Sequence, residues 1–371
     1  MPHATKRTAR HGRGLTSGAV AASFIATSLA ALMGTSPSAA APGLSPRLTI
    51  NGCELKPFTQ CPGVNLGNAN LTGRNLAGAN FYRASLYGAA LNWSNIEGAN
   101  FNRAALVRVT GTHLAANKAK FQFANIRNAN LSDGQFQEAR FDAAHLDGAN
   151  LANSDLQLAK VMRADLSNAN LARTNLIGVN LWGASVDRAS FQGAALWSTN
   201  LDRSFALAAN FANTDSRGLK LRAARASLAN FSGASLDDAD MRKTDFRGAV
   251  FDNALAFRAD LRGANLNRSW WADAAVWQVQ FRRARMREAH FVGADFLRAD
   301  LRQVDARLAE FRRASMQGAD LRAGDFLGAD FRGADLRGAK IRGANFRSAN
   351  FTGAIWPNGV LCGADSIGRC R

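Results

Sequence analysis

The stretch Ala329-Asp330-Phe331-Arg332-Gly333 contains the five-residue pattern that decides the fold of this chain. The pattern keeps one phase from Leu66 to Trp356, and its central position is Leu, Phe, Ile, Val, Met or Trp in 52 of 59 units. Two residues before the centre, Ala occurs in 41 of the 59 units. A continuous helix is excluded, because a five-residue period would spread the apolar residues around its axis. A single long strand is excluded too, because an odd period would alternate them between its two faces.

The period is satisfied if each unit is a short extended piece followed by a corner. The Ala and the central residue then point inward, the residues on either side of the centre point outward, and the fifth residue, often Gly, forms the corner. Four units close a square coil of about 20 residues, and coils stack roughly 4.8 Å apart through backbone hydrogen bonds. The 59 units predict just under 15 coils and a rod roughly 70 Å long. Parallel crossovers favour a right-handed coil.

The motif resembles that of the pentapeptide-repeat family, whose consensus is A(D/N)LXX. The resemblance covers residues 64 to 356 and implies an all-β fold, a right-handed quadrilateral β-helix of about 15 coils. The segment from Trp356-Pro357-Asn358-Gly359 to Cys370 is similar to the C-terminal end of exported bacterial members. Some members of the family mimic DNA and bind gyrase, and those members present acidic surfaces.

Seven units depart from the pattern because their central residue is small. These centres are Gly111, Ala116, Ala206, Ser216, Ala226, Ala256 and Ala306. Most have an apolar neighbour out of phase, and we interpret this as a local twist that supplies the missing core volume. The neighbours are Leu114, Phe205, Leu207, Leu219, Leu228, Leu255, Phe257 and Leu308. The least regular stretch, Val107–Lys120, predicts a small loop or a distorted coil, without a shift of register.

Residues 1–40 predict a secretory signal rather than part of the rod. A basic leader without acids precedes the uncharged, Ala-rich stretch Leu15–Met33, and Ser38-Ala39-Ala40 offers a cleavage site near Ala40. The alternative is a retained membrane anchor; no other stretch could span a bilayer. We therefore expect a secreted or extracytoplasmic bacterial protein with an N-terminal cap over 41–63, the β-helix over 64–356 and a C-terminal cap over 357–371.

Four cysteines flank the rod in two pairs with equal spacing: Cys53 with Cys61, and Cys362 with Cys370. Bridged Cα atoms must lie within about 7 Å of each other, whereas the ends of the predicted rod are tens of ångströms apart. We therefore predict a disulfide within each pair, and the same separation argues against a four-cysteine metal site. Each bridge would staple a small cap over an open end of the solenoid, which otherwise exposes unpaired backbone.

Seven arginines recur every 20 residues just after the central position, and we call them the arginine column. They are Arg222, Arg242, Arg262, Arg282, Arg302, Arg322 and Arg342. Asp residues precede four of them by two positions, at 240, 260, 300 and 320. One interpretation is a solvated Asp–Arg network, in which each exposed pair contributes roughly 0–1 kcal/mol. The other is a track for a polyanion, such as an acidic cell-envelope polymer or nucleic acid.

An apolar stripe is predicted on the neighbouring face, and we call it the aromatic stripe. It consists of Ile177, Trp197, Phe257, Trp277 and Leu297, interrupted by Arg217 and Asp237. Outward aromatic residues indicate a homodimer or partner interface, or a platform for sugar rings. Incidental exposure is the alternative, and Phe257 could instead fill the core beside Ala256.

The sequence predicts no catalytic residue, no metal-ligand cluster and no cofactor. Beyond the leader it has three histidines, His113, His145 and His290, each at a different place in the repeat. We expect an exported, non-catalytic scaffold that binds an unknown protein or acidic polymer. The alternatives are gyrase binding by DNA mimicry, which the net charge of +18 and predicted export oppose, and direct nucleic-acid binding, which the charge allows but export weakens.

Overall fold

A computed structural model describes residues 48–371 of the chain. The predicted signal, the cleavage site and residues 41–47 of the predicted N-terminal cap lie outside these residues. The described part contains two short strands, β1 (Thr49–Ile50) and β2 (Cys53–Glu54). Its other backbone pairing consists of isolated bridges. No helix long and apolar enough to cross a membrane occurs within residues 48–371.

The isolated bridges show how the repeat stacks. Each parallel bridge joins the residue before one centre to the residue 20 positions later, from Gln60 with Asn80 to Asp335 with Ile355. The interval does not change along the rod, because the five-residue phase never slips. The chain is therefore a β-helix-like solenoid with 20 residues per coil. The handedness of the coil and the predicted number of coils stay predictions.

The bridges form four columns, and each column defines one face of the solenoid. We number the faces by the residue at which their column starts: Gln60 for the first, Asn65 for the second, Asn70 for the third and Asn75 for the fourth. Side chains just before and just after a centre lie on that centre's face. Residues 20 apart are thus neighbours on one face, one coil from each other.

Each corner is a turn in a left-handed backbone conformation. The amide of Ala334 donates to the carbonyl of Phe331 at 2.9 Å, and φ of the intervening Gly333 is 67°. A positive φ at the third of four turn residues is what a type II turn requires. Every fifth residue from Gly63 to Gly353 shares this conformation. The corner therefore lies where the repeat predicts it, although most corner residues are not glycine.

The core consists of the central residues and the small residues that precede them. From Phe191 to Phe351, the centres on the third face are aromatic in nine successive coils, with Trp271 in the middle. Successive ring centroids lie between 3.9 and 5.9 Å apart. These rings form a stack along the C-terminal half of the rod, and we call it the core aromatic ladder.

Two of the out-of-phase apolar residues do fill the core. Leu114 and Leu219 are buried, because both occupy the inward position two residues before a centre. Leu114 also compensates for the neighbouring small centre: a Cβ added to Gly111 would lie 3.4 Å from Leu114 Cδ2 and 3.1 Å from Leu131 Cδ2.

The local twist predicted for the remaining out-of-phase residues is wrong. Phe257 lies on the outer surface, half-buried, with the Arg258 guanidinium carbon 4.5 Å from its ring centroid, so it does not fill the core beside Ala256. The others are exposed: Phe205, Leu207, Leu228, Leu255 and Leu308. The unbroken bridges fix the direction of each position, so an apolar side chain at an outward position stays outside.

The loop or distorted coil predicted for Val107–Lys120 is also wrong. This stretch keeps the regular bridges, with Thr110 paired to Asn130 and Ala115 to Gln135. Its unusual composition therefore changes the side chains on a regular backbone.

The described part of the N-terminal cap is a hairpin held by a disulfide. Strands β1 and β2 pair antiparallel, with Ile50 opposite Cys53. Asn51 and Gly52 between them both have positive φ, at 49° and 76°, as a type I′ turn requires. Cys53 is bonded to Cys61, with their Cα atoms 5.7 Å apart, so the predicted pairing is confirmed.

The C-terminal cap folds back over the last coil in the antiparallel direction. Ile367 pairs with Asn350, and Leu361 pairs with Ile355. Cys362 is bonded to Cys370, with their Cα atoms 4.9 Å apart, which confirms the second predicted disulfide. The cap supplies hydrogen-bond partners to the third and fourth faces of the final coil, where the stack would otherwise end in unpaired backbone.

Candidate functional site

The arginine column lies on the first face, and most of its members bind carboxylates there. Arg242 donates to the carboxylate of Asp240 through Nε at 2.8 Å and Nη2 at 2.7 Å. The two side chains flank a single centre and meet in a two-bond fork. The same arrangement occurs in three more coils, where Arg262, Arg302 and Arg322 pair with Asp260, Asp300 and Asp320.

These contacts alter the protonation of both partners. The hydrogen bond from Arg322 is the main reason that the pKa of Asp320 lies below its ordinary value. Burial alone would raise the pKa of Asp240, but the hydrogen bonds and charge of Arg242 outweigh it and lower the pKa. Asp240 in turn raises the pKa of Arg242. The paired groups therefore stay charged and satisfy each other within the protein.

Three members of the column differ from this scheme. Arg222 binds Asp202 of the preceding coil, through its backbone amide at 2.7 Å and its Nε at 2.9 Å. Arg282 and Arg342 form no ion pair within residues 48–371, because Gln280 and Lys340 stand where the other coils have Asp. The solvated Asp–Arg network thus describes five of the seven arginines.

Arginine–carboxylate forks also occur on the other three faces, and the sequence analysis did not predict these. Arg247 pairs with Asp245 on the second face, and Arg332 pairs with Asp330 on the third. Arg337 pairs with Asp335 on the fourth face. The signal was present in the sequence as Asp before a centre and Arg after it. Much of the arginine in the C-terminal half is therefore neutralised locally.

The aromatic stripe lies on the fourth face, with every member pointing outward. Trp197 is 52% exposed, Trp277 44% and Leu297 39%, whereas Ile177 and Phe257 are half-buried. The two polar interruptions are engaged in local contacts. Arg217 forms a fork with Asp215, and Asp237 accepts a hydrogen bond from the amide of Phe257 at 2.8 Å.

One cluster of potential metal ligands lies on the second face, where the sequence analysis predicted none. The ligand atoms of His145, Asp147 and Asp165 all lie within 4.8 Å of one another. Arg127 already binds Asp147, with Nε and Oδ1 2.8 Å apart, and its charge opposes a second cation. Asp165 accepts a hydrogen bond from the amide of Ser167 at 3.0 Å. These contacts favour a structural role, and we assign no metal to the cluster.

An open groove lies along the second face near the middle of the C-terminal half. It is lined by Leu228, Arg247, Gly248, Asn267, Arg268, Arg287 and Glu288. Each lining arginine is in an ion pair: Arg247 with Asp245, Arg268 with Glu288 and Arg287 with Asp305. The lining contains no Ser, Cys or His, and its carboxylate, Glu288, is bound by Arg268 at 2.9 Å.

Comparison with known families gives a match along most of the repeat. The family model described as pentapeptide repeats matches residues 65–103, 135–171, 156–193, 209–253, 229–269, 280–318 and 309–353. The chain belongs to the pentapeptide-repeat family. Comparison with curated proteins found no match. Pentapeptide-repeat proteins are generally non-catalytic structural or binding proteins.

Solved structures of pentapeptide-repeat proteins are similar to this chain at low sequence identity. HetL, involved in heterocyst differentiation regulation in Nostoc sp. strain PCC 7120, is 23% identical over 82% of this chain and 94% of its own, with a TM-score of 0.23. Rfr23 from Cyanothece 51142 is 23% identical over 34% of this chain and 85% of its own, with a TM-score of 0.21. QnrB1, a plasmid-mediated fluoroquinolone resistance protein, is 17% identical over 53% of this chain and 81% of its own, with a TM-score of 0.28.

Proposed function

We propose that this pentapeptide-repeat protein is an exported, non-catalytic scaffold that binds an anionic polymer outside the cytoplasm. One observation carries the proposal: residues 48–371 contain 41 Lys and Arg against 28 Asp and Glu. A surplus of positive charge on a rigid rod attracts polyanions over the whole length of the rod. The proposal includes a right-handed quadrilateral β-helix of about 15 coils, as the unchanging repeat predicts.

Export is part of the proposal because of the two ends of the chain. Disulfides persist in oxidising compartments and are rare in the cytoplasm, and the solenoid has one at each end. The sequence of residues 1–40 has the charge and hydropathy of a secretory signal. Fractionation of the native host tests this step. A protein that is found in the cytoplasm with four reduced cysteines would contradict export.

The charge also separates this proposal from the two alternatives. A DNA mimic presents acidic surface to gyrase, whereas the surplus here is basic, so we expect no inhibition of gyrase supercoiling. Direct nucleic-acid binding agrees with the charge and has to be separated from glycan binding by experiment.

The test is a titration of residues 41–371 with fluorescein-labelled heparin, polygalacturonate and single-stranded oligo-dT at several salt concentrations. We expect binding that weakens as salt rises, because displaced counterions drive such association. An absence of binding to all three at low salt would refute the proposal. Preference for oligo-dT would support nucleic-acid binding instead, and inhibition of gyrase would support mimicry.

A further inference from the structure

Part of the positive charge that forms no ion pair lies near the middle of the solenoid, outside the paired members of the arginine column. Five cations lie between Arg140 and Arg217 in the sequence, and none of them forms an ion pair: Lys160, Arg163, Arg173, Arg188 and Arg203. The carboxylates in these coils have other partners. Asp155 binds the side chain of Gln137 at 2.7 Å, and Asp187 binds the amide of Leu207 at 2.8 Å.

Three of these cations share the first face with Lys220 and Trp182. Lys160, Asn180, Asn200 and Lys220 are bridged in that order along the first face, so the two asparagines lie between the two lysines. The two asparagines are joined by a side-chain hydrogen bond of 3.2 Å. Lys160 and Lys220 are therefore three coils apart, at a separation of about 14 Å, with neutral side chains between them.

Trp182 lies at the centre of this arrangement, with an arginine on each side. The guanidinium carbon of Arg163 is 5.2 Å from the indole centroid, and that of Arg203 is 5.9 Å away. Gly183 occupies the corner between the two arginines, so no side chain separates them from the ring. Both contacts are within the range of cation–π attraction, which holds the guanidinium groups in place without neutralising them.

One carboxylate lies on this face within the same four described coils. Asp202 is 5% exposed, and it accepts hydrogen bonds from the amide and guanidinium of Arg222. The negative charge of Asp202 is therefore paired with Arg222, one coil closer to the C-terminal end, and not with Arg163 or Arg203. Lys160, Arg163, Arg203 and Lys220 remain exposed around a half-buried Trp182, and we call these five residues the Trp182 patch.

We propose that the Trp182 patch binds a linear anionic polysaccharide that runs along the rod axis. This inference rests on the proposed function and names the part of the surface responsible. The arginines are two coils apart, about 10 Å, and the lysines about 14 Å, so several acidic groups of one chain can contact the patch together. Guanidinium forks suit carboxylate and sulfate groups, and the indole offers an apolar surface to a sugar ring. Single-stranded nucleic-acid sites stack successive bases on several aromatic residues, whereas this patch has one.

The test compares two double variants with the same change in net charge. The patch variant is Arg163→Gln with Arg203→Gln, and the control is Arg242→Gln with Arg262→Gln in the arginine column. Each is titrated with labelled heparin, polygalacturonate and oligo-dT over a range of salt. We expect the patch variant to lose at least about tenfold in heparin affinity at low salt, and its salt slope to fall by roughly 1 to 2. The control should lose less than about twofold, because its arginines are already bound to Asp240 and Asp260.

Equal losses in the two variants would overturn the inference, because net charge alone would then explain binding. No loss in the patch variant would overturn it as well. A loss confined to oligo-dT would assign the patch to nucleic acid. If the unmodified protein binds none of the probes, the proposed function itself fails. If the patch variant does not fold by circular dichroism, Lys160→Gln with Lys220→Gln provides the same comparison at two exposed positions whose side chains form no ion pair within residues 48–371.

Discussion

The most discriminating stability prediction concerns three serines at the same position of the repeat. Ser94, Ser204 and Ser269 each stand two residues before a centre, where Ala is the commonest residue, and each is buried. From the repeat alone, replacement of any of them by alanine should be harmless. The structure predicts three different outcomes, because the three hydroxyl groups have different partners.

Ser269 accepts a hydrogen bond from Nε1 of Trp271 at 2.8 Å and donates to the carbonyl of Leu266 at 2.7 Å. Trp271 is fully buried, so Ser269→Ala leaves an indole N–H without a partner, at a cost of about 1–3 kcal/mol. Ser94 donates to the carbonyl of Leu71 at 2.6 Å, and its loss should cost about 0.5–1.5 kcal/mol.

Ser204 has no hydrogen-bond partner for its buried hydroxyl. Ser204→Ala should therefore stabilise the protein by about 1 kcal/mol. Urea unfolding followed by circular dichroism measures the order of the three variants, and hydrogen exchange at the Trp271 amide reports the local effect in a repeat protein.

The control is a double-mutant cycle with Trp271→Phe. Phenylalanine has no N–H, so Ser269→Ala in that background should cost at least about 1 kcal/mol less than it does with tryptophan present. A Ser269→Ala variant as stable as the unmodified protein would contradict the role of this hydrogen bond. An equal cost of Ser269→Ala in both backgrounds would contradict it as well.

Three further predictions concern acid stability, the caps and the aromatic stripe. The pKa of Asp240 is lower in the folded state than its ordinary value of 3.8. The ionised Asp240 therefore stabilises the fold fully above about pH 4, and this stabilisation is lost as pH falls through the folded pKa. We expect the melting temperature to decrease as the pH is lowered below 4, and to decrease less in Asp240→Asn. Replacing Cys362 and Cys370 by serine should cost about 2.5 kcal/mol and increase light scattering from end-to-end aggregation, and unchanged scattering would contradict the capping role. One interpretation of the stripe is a homodimer interface, and on that interpretation Trp197→Ser with Trp277→Ser should lower the sedimenting mass. An equal mass would exclude a dimer through this face.

The repeat predicts the solenoid, its faces and the disulfides because all three depend on spacing. A five-residue phase specifies direction, and the alignment of Arg242 with Arg262 requires no knowledge of packing. The positions of individual apolar residues were harder to predict. Leu228 and Leu308 were expected to twist inward, since their units have small centres, but the backbone bridges hold these corner positions outside. The N-terminal hairpin could have been predicted, because Asn51-Gly52 is a strong turn signal.

The candidate site was harder to predict from the sequence, because it depends on which arginines and lysines form ion pairs with carboxylates. The arginine column stands out in the sequence, yet Asp240 and its equivalents neutralise most of it. The Trp182 patch has no single motif, since Lys160 and Lys220 are 60 residues apart in the chain and the intervening members differ in type. The structure shows which cations each carboxylate binds, and this pairing leaves the positive charge of the Trp182 patch free to bind an anion.

The constant 20-residue interval between bridged positions limits how this gene can change length. Loss or duplication of one five-residue unit would turn everything beyond it by a quarter of a coil, so each surface column would be continued by residues from a different side. Loss or duplication of a whole coil would leave every column aligned and only shorten or lengthen the rod. Surface features are therefore inherited in blocks of 20 residues, and tolerated insertions and deletions should cluster at that size.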